Sequence, residues 1–341
     1  MFFTLQKMIR KKIAFYSPYD KRTKKDGFLN DFDDSNEYVA VSKHLKKLGF
    51  EVHSLDIFNK KKISPDVCFF LDIPPYSVFD VIGDNTYSIV LLREPDNTCQ
   101  ENFKKNRHNE FDLVLTWKSS LIDNLKYLPY PSTRLASFDQ LEVKDTLNRK
   151  LCVLINSNLF SKLDGELYTL RRKIINWFEK YNQKDFELWG YGWDKFSVLV
   201  KGRIVFKMKK PKKFIPLSYQ GEAENKHKTL SQYKFSICFE NTNKVDDYIS
   251  EKIFDAFIAQ NVPIYFGAPN ISEIIPKECF IDYRDFNTIE DLYLHLKNMS
   301  DDEYLEYVAA INKYMKSSKV QKFSLKNWVD IVSGSIQRLS I

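Results

Sequence analysis

Short, nearly uninterrupted apolar runs dictate the fold class of this chain. Val67–Leu71, Ile89–Leu92, Leu113–Trp117, Leu151–Ile155, Phe235–Phe239 and Pro263–Phe266 are apolar at almost every position rather than at every second one. A strand with one wet face alternates apolar and polar residues. A strand apolar throughout is covered on both faces, which is the condition of a parallel sheet between layers of helices. Ile13–Ser17 opens the series, and stretches of helical spacing lie between the runs, the rhythm of an α/β fold. The first helix is expected over Asn36–Leu48, with Asp34 and Glu37 at capping-box spacing and Gly49 ending it.

At 341 residues the chain has room for two such units. The first, residues 1–145, closes its sheet near Leu128–Pro131, and the polar stretch Pro131–Arg149 holds the linker. The second, residues 146–341, begins with the Leu151–Ile155 run and a helix over Leu163–Tyr181. A helix near Ile249–Ala259 is flanked by the two later runs, and helices over Ile289–Met299, Asp302–Met315 and Leu325–Leu339 complete the unit, the last capped by Ser324. The expected architecture is two Rossmann-like domains facing each other across a cleft, with ligands beyond the carboxyl ends of the strands.

Lys and Arg exceed Asp and Glu by seven, a mild bias toward anionic partners. The five cysteines are widely spaced and set in apolar strings without a CxxC, which reads as buried, reduced thiols and not a disulfide framework or zinc site. No run approaches the ~20 apolar residues of a membrane span. The opening MFFTLQKMIRKK has too short an apolar segment for a signal peptide, so a cytoplasmic protein is expected.

The common nucleotide and hydrolase motifs are absent. GYGWDK at Gly190–Lys195 lacks the third glycine of a dinucleotide fingerprint, and Asp31-Phe32-Asp33-Asp34 reads as a solvated helix entry, not a metal site. The chemistry concentrates in residues 233–286: a buried strand, a polar loop over Glu240–Asp247, a helix, a second strand and a Gly-Pro turn. The helix start carries Ser250, Glu251 and Lys252. Unpaired N–H groups and the positive end of the helix dipole suit a diphosphate there, and Lys252 adds a full charge. Glu251 is placed to accept hydrogen bonds from sugar or ribose hydroxyls.

Phe239-Glu240-Asn241, then Tyr248-Ile249-Ser250-Glu251-Lys252, then Val262-Pro263-Ile264-Tyr265-Phe266-Gly267-Ala268-Pro269, taken in that order, resemble the signature of the α1,3/4-fucosyltransferases, glycosyltransferase family 10. Ser250 stands where Thr is common and Phe266 where Trp is common. The resemblance implies a GT-B fold, GDP-fucose as donor and inversion at the anomeric carbon, with Asn241, Tyr248, Glu251 and Lys252 lining the donor site. Leu154-Ile155-Asn156-Ser157-Asn158 resembles the family's strand ending in Ser-Asn, which adds Ser157 and Asn158. An Arg on the next helix is implied to bind the diphosphate. Arg171 fits better than Arg172, because Ile174, Ile175 and Phe178 follow it at +3, +4 and +7. Leu91-Leu92-Arg93-Glu94-Pro95 resembles the element that carries the general base, which makes Glu94 the group that takes the acceptor's proton.

The expected activity is therefore inverting α-1,3 transfer of L-fucose from GDP-fucose to a GlcNAc- or Glc-containing glycan of lipopolysaccharide or another surface polysaccharide, of Lewis-antigen type. Glu94, Arg171 and Lys252 are the catalytic set, with no cofactor and no metal site. The partners expected are GDP-fucose, an oligosaccharide or lipid-linked glycan, and an anionic membrane touched from its inner face. The basic segment Lys201–Lys213 reads as a solvated loop, with contact to a membrane or an anionic acceptor as the alternative, and nucleic acid is not expected. A transferase of the same fold using another GDP-sugar is the alternative, and a non-catalytic nucleic-acid or glycan-binding protein the remote one.

Overall fold

The computed structural model describes residues 11–19, 24–27, 29, 36–95, 98–143, 145–200 and 203–339. The chain divides into two compact units: Met1–Ser137 with Gln321–Ile341, and Phe138–Val320. The Asp31–Asp34 string, Asp34's capping role and Lys201 lie outside the described residues.

In unit 1 the chain runs through β1 (Lys12–Tyr16), α1 (Glu37–Lys47), β2 (Glu51–Ser54), α2 (Leu55–Lys60), β3 (Val67–Leu71), β4 (Tyr87–Leu92), β5 (Leu113–Thr116) and β6 (Tyr127–Pro129). The strands form one sheet in the order β2-β1-β3-β4-β5-β6, every pairing parallel. The apolar runs are buried on both faces as their composition requires: every residue of β3 is buried. Phe15 stacks on Phe69 at 5.0 Å toward one face, while Phe70 meets Phe111 edge-on at 5.4 Å toward the other. Asn36 caps α1 by accepting from Tyr38 N at 2.9 Å, and Gly49, at φ 94°, ends it.

Unit 1 also takes in the C-terminal helix, Leu325–Gln337, which differs from the expected 146–341 grouping. Two backbone bonds stitch it in, Leu135 N to Phe323 O at 2.7 Å and Leu325 N to Leu135 O at 2.8 Å. Its apolar stripe is buried there, with Trp328 wholly enclosed and edge-on to Tyr38 at 5.7 Å. Ser324 caps the helix as expected, accepting from Asn327 N at 3.0 Å.

Unit 2 comprises β7 (Lys150–Ile155), α3 (Tyr168–Tyr181), β8 (Phe186–Trp189), β9 (Lys195–Val200), β10 (Arg203–Lys209), β11 (Tyr219–Gly221), α4 (Lys226–Leu230), β12 (Tyr233–Phe239), α5 (Glu251–Ile258), β13 (Val262–Phe266), α6 (Ile271–Ile274), β14 (Ile281–Asp282), α7 (Ile289–Asn298) and α8 (Asp301–Met315). Its sheet is again all parallel, in the order β11-β8-β7-β12-β13-β14.

Two expectations change here. The helix expected from Leu163 begins at Tyr168, because residues 165–167 pair with the loop after β12: Leu167 N bonds Asn241 O at 3.2 Å and Asn243 N bonds Gly165 O at 3.0 Å. The basic stretch expected as a solvated loop is largely the antiparallel hairpin β9–β10, a two-stranded sheet of its own. All five cysteines are buried and free. Among the described residues no helix is long and apolar enough to cross a membrane.

Candidate active site

In unit 2 the expected donor residues gather at the carboxyl end of the sheet, around the exits of β7 and β12. The centre of the arrangement is Glu240, the first residue after β12 and wholly buried. Its Oε1 accepts from Ser250 N at 2.7 Å, and its Oε2 lies 3.4 Å from Lys252 Nζ. Ser250 caps α5, and its Oγ receives a second bond from Lys252 Nζ at 2.9 Å. A buried carboxylate is stable only when paired and hydrogen-bonded, and here the pairing fixes the helix start and folds Lys252 back over it. The close fit explains Gly267: a Cβ at that position would run into the Glu240 side chain and the Tyr265 hydroxyl. That hydroxyl accepts from Ala268 N at 3.1 Å, so the Gly-Pro turn is tied to the same spot.

Glu251 and Lys252 join a longer chain of charge. Lys226 Nζ is 3.5 Å from Glu251 and 2.5 Å from Asp255, and Asp255 also pairs with His227 Nε2 at 2.8 Å. Lys252, then Lys226, holds the Glu251 carboxyl down to about 2 against the opposing effect of burial. Glu251 is therefore ionised at neutral pH and acts as an acceptor only, the form that suits donated sugar hydroxyls. Burial pulls the Lys226 ammonium down, but Asp255 and Glu251 outweigh it and leave its pKa raised.

Arg171 is 1% exposed. Its NH2 donates to the main-chain oxygens of Phe239 and Glu240, at 2.5 and 2.6 Å, and its NH1 to Asn156 Oδ1 at 3.2 Å. Its Nε is buried without a partner among the described residues. Burial lowers its pKa, while Tyr168, Glu240 and Tyr248 act in the opposite direction from close by. Arg171 thus clamps α3 to the exit of β12. Arg172 is half-buried and turns to the loop after β7, donating to Asn158 Oδ1 at 3.2 Å and to Leu159 O. Asn158 in turn is fixed to the neighbouring turn, its Nδ2 to Gly192 O at 3.1 Å and its N to Tyr191 O at 2.9 Å. Gly190 is obligatory there. It sits at φ 124°, and a Cβ would strike the main chain of Asn156. GYGWDK is accordingly a close-approach turn beside the Ser157–Asn158 loop. Ser157 and Asn241 are partly exposed and Tyr248 is buried.

Glu94 belongs to unit 1, two residues past β4. Its position is set by Asp72, which follows β3 in a left-handed conformation (φ 69°) and is almost wholly buried. Asp72 Oδ1 accepts from Arg93 N at 2.7 Å, Glu94 N at 3.1 Å and Asn102 Nδ2 at 2.7 Å, and its Oδ2 pairs with Arg93 Nε at 3.2 Å. Asn102 Nδ2 also reaches Glu94 O at 3.0 Å. The main chain at Glu94 is held by side chains on both sides, as a positioned base requires. Sequence reasoning named Glu240 only as part of the Phe239-Glu240-Asn241 motif and gave it no role, and it did not single out Asp72, Asn102 or Lys226. The available signal was an acidic residue directly after a buried strand, all-apolar before Asp72 and interrupted by Lys234 and Ser236 before Glu240.

Residues 196–332 match the model of the glycosyltransferase family 10 (fucosyltransferase) C-terminal domain. This stretch of the chain is a family 10 domain. It contains Glu240, Asn241, Tyr248, Glu251 and Lys252; Glu94, Ser157, Asn158 and Arg171 fall outside it. An α-(1,4)-fucosyltransferase of Arabidopsis thaliana is 40% identical over 85 residues, 24% of this chain and 21% of that protein. The α-(1,3)-fucosyltransferase FucT of Helicobacter pylori is 38% identical over 74 residues, 22% of this chain and 15% of that protein. The matched part thus spans about a fifth or less of the length of these curated relatives. A crystal structure of an α1,3-fucosyltransferase with GDP superposes at TM-score 0.55 with 16% identity, over 97% of this chain and 92% of that one. That likeness concerns the fold alone, which over nearly the whole chain is GT-B, with two parallel α/β sheets.

Proposed function

We propose that the protein transfers L-fucose from GDP-fucose to a hydroxyl of a GlcNAc- or Glc-containing glycan, with inversion and in α-1,3 linkage. The observation that carries the reading is the Glu240–Ser250–Lys252 arrangement at the start of α5, inside the family 10 domain. It presents a helix N-terminus and a held ammonium where a nucleoside diphosphate's charge would be met. Arg171 adds its charge from below while it holds the β12 exit, and Arg172 faces the Ser157–Asn158 loop. Glu251, an ionised acceptor, takes donor hydroxyls. In unit 1 Glu94 removes the proton from the acceptor hydroxyl as that oxygen attacks the anomeric carbon. The C1–O bond to GDP breaks, and the leaving diphosphate carries away the bonding pair. An acceptor built into lipopolysaccharide or another surface polysaccharide fits this reading.

Calorimetric titration with GDP-fucose, GDP-mannose and UDP-galactose tests the donor. Selective binding of GDP-fucose is expected. Selective binding of GDP-mannose would replace the sugar, and binding of none would remove the donor site from α5.

A further inference from the structure

From Lys195 to Gly221 the chain carries eight Lys or Arg residues and no Asp or Glu. Most of that stretch forms the β9–β10 hairpin and the tight turn Lys212–Phe214 that follows it. The hairpin is a two-stranded sheet of its own. A ribbon of two strands is marginal in water and gains stability when its apolar face is packed against something.

Such a face is present at the foot of the hairpin. Phe196 and Met208 lie directly opposite each other in the strand register, so they share one side. The Phe214 ring meets Phe196 edge-on at 5.9 Å. All three remain open to solvent: Phe196 is 42% exposed, and Met208 and Phe214 are each 53% exposed. Lysines frame them. Lys210 holds its ammonium 5.5 Å from the centre of the Phe196 ring, and Lys213 holds its own 5.1 Å from that of Phe214. Lys209 and Lys212 are exposed and make no ion pair among the described residues. Lys195 pairs with Glu222, at 3.9 Å, where the acid-free stretch ends.

Apolar side chains framed by ammonium groups fit a surface that is oily below and anionic above. The rings and the Met208 thioether enter the acyl boundary, while lysine stems lie along the apolar patch with their charges at headgroup level. A second copy of the same patch would set lysines against lysines. A single-stranded nucleic acid stacks its bases on open ring faces, and here ammonium groups stand over the Phe196 and Phe214 rings.

We infer that the foot of the β9–β10 hairpin, with Phe214 beside it, docks unit 2 on an anionic lipid bilayer. The inference stands apart from the transfer reading, because it uses none of the residues assigned to donor or acceptor.

Its test is cosedimentation of the full chain with vesicles of phosphatidylcholine, alone or mixed with phosphatidylglycerol. The mixed vesicles should bind the protein, the neutral ones should not, and added salt should release it. Lys212→Gln and Lys213→Gln should each weaken binding about fivefold, the share of one cation near a charged surface. Phe214→Ser should weaken it roughly tenfold, the share of a half-exposed ring that enters the bilayer. Thermal unfolding of the lysine variants should match the wild type, since both positions are exposed. Phe214→Trp keeps an aromatic ring, and its emission should be quenched by brominated phosphatidylglycerol beyond the wild-type level.

Equal binding to both kinds of vesicle, binding indifferent to every substitution, or no added quenching overturns the inference. Preference for poly-uridine RNA over the mixed vesicles would overturn it in favour of nucleic acid. Dimerisation that is lost in Phe214→Ser, without vesicle binding, would overturn it in favour of a second copy.

Discussion

Glu94→Gln should lower the rate of fucose transfer by about 10²–10⁴-fold, the range that a positioned general base contributes, and leave GDP-fucose affinity at the wild-type value. The two effects separate because the donor-binding residues proposed here, from Ser157 to Lys252, all belong to unit 2, while Glu94 belongs to unit 1. The amide is isosteric with the carboxylate, and the loop is held through main-chain atoms, by Asp72 at Glu94 N and Asn102 at Glu94 O. Substitution therefore removes the basic oxygen without moving the backbone. Single-turnover transfer alongside a calorimetric donor titration reads both quantities. Undiminished turnover with normal donor affinity would mean that another group takes the proton.

Arg171→Ala should be the most destabilising single change at the donor site. The guanidinium is almost fully buried and donates to the carbonyls of Phe239 and Glu240 and to Asn156. Truncation strands these acceptors next to the buried Glu240 carboxylate. Breaking one side of a buried, charge-assisted set costs about 3–5 kcal/mol. For a unit of this size that lowers the unfolding midpoint by roughly 6–20 °C. Arg171→Lys keeps the charge but loses the planar fork, so it should recover only part of the stability. Thermal unfolding followed by circular dichroism decides the matter. A midpoint within 2 °C of wild type for Arg171→Ala, a threshold of about 1 kcal/mol or less, would show that the clamp is not structural.

What could be read in the sequence was whatever leaves a local pattern. The all-apolar runs announced both parallel sheets, because a strand covered on two faces has no polar positions; β3 spans Val67–Leu71 as expected. Ser324 was legible as a cap from chemistry and spacing, whereas Ser250, expected inside the first turn, proves to be the cap of α5. Short edge strands such as β11 and β14 were not, since two or three residues carry no period. The start of α3 was misplaced because Leu163–Leu167 forms a turn, with Gly165 at φ 77°, that pairs with Asn241 and Asn243, and tertiary pairing of that kind leaves no local period. The grouping of the C-terminal helix was equally out of reach. Its apolar stripe says that it is buried but not against which sheet. At the site, Lys252 and Glu251 were visible as residues at a helix start, whereas Glu240 was visible only as a member of the Phe239-Glu240-Asn241 motif, and its positioning of Ser250 and Lys252 was not.

The most direct test of the central claim is proton NMR of the product formed from GDP-fucose and galactosyl-β-N-acetylglucosamine. Inverting transfer by the wild-type protein predicts a new α-fucosyl anomeric signal, with the linkage to the 3-hydroxyl of the N-acetylglucosamine ring. A β-fucosyl product, or a different sugar moved from a different donor, would contradict it.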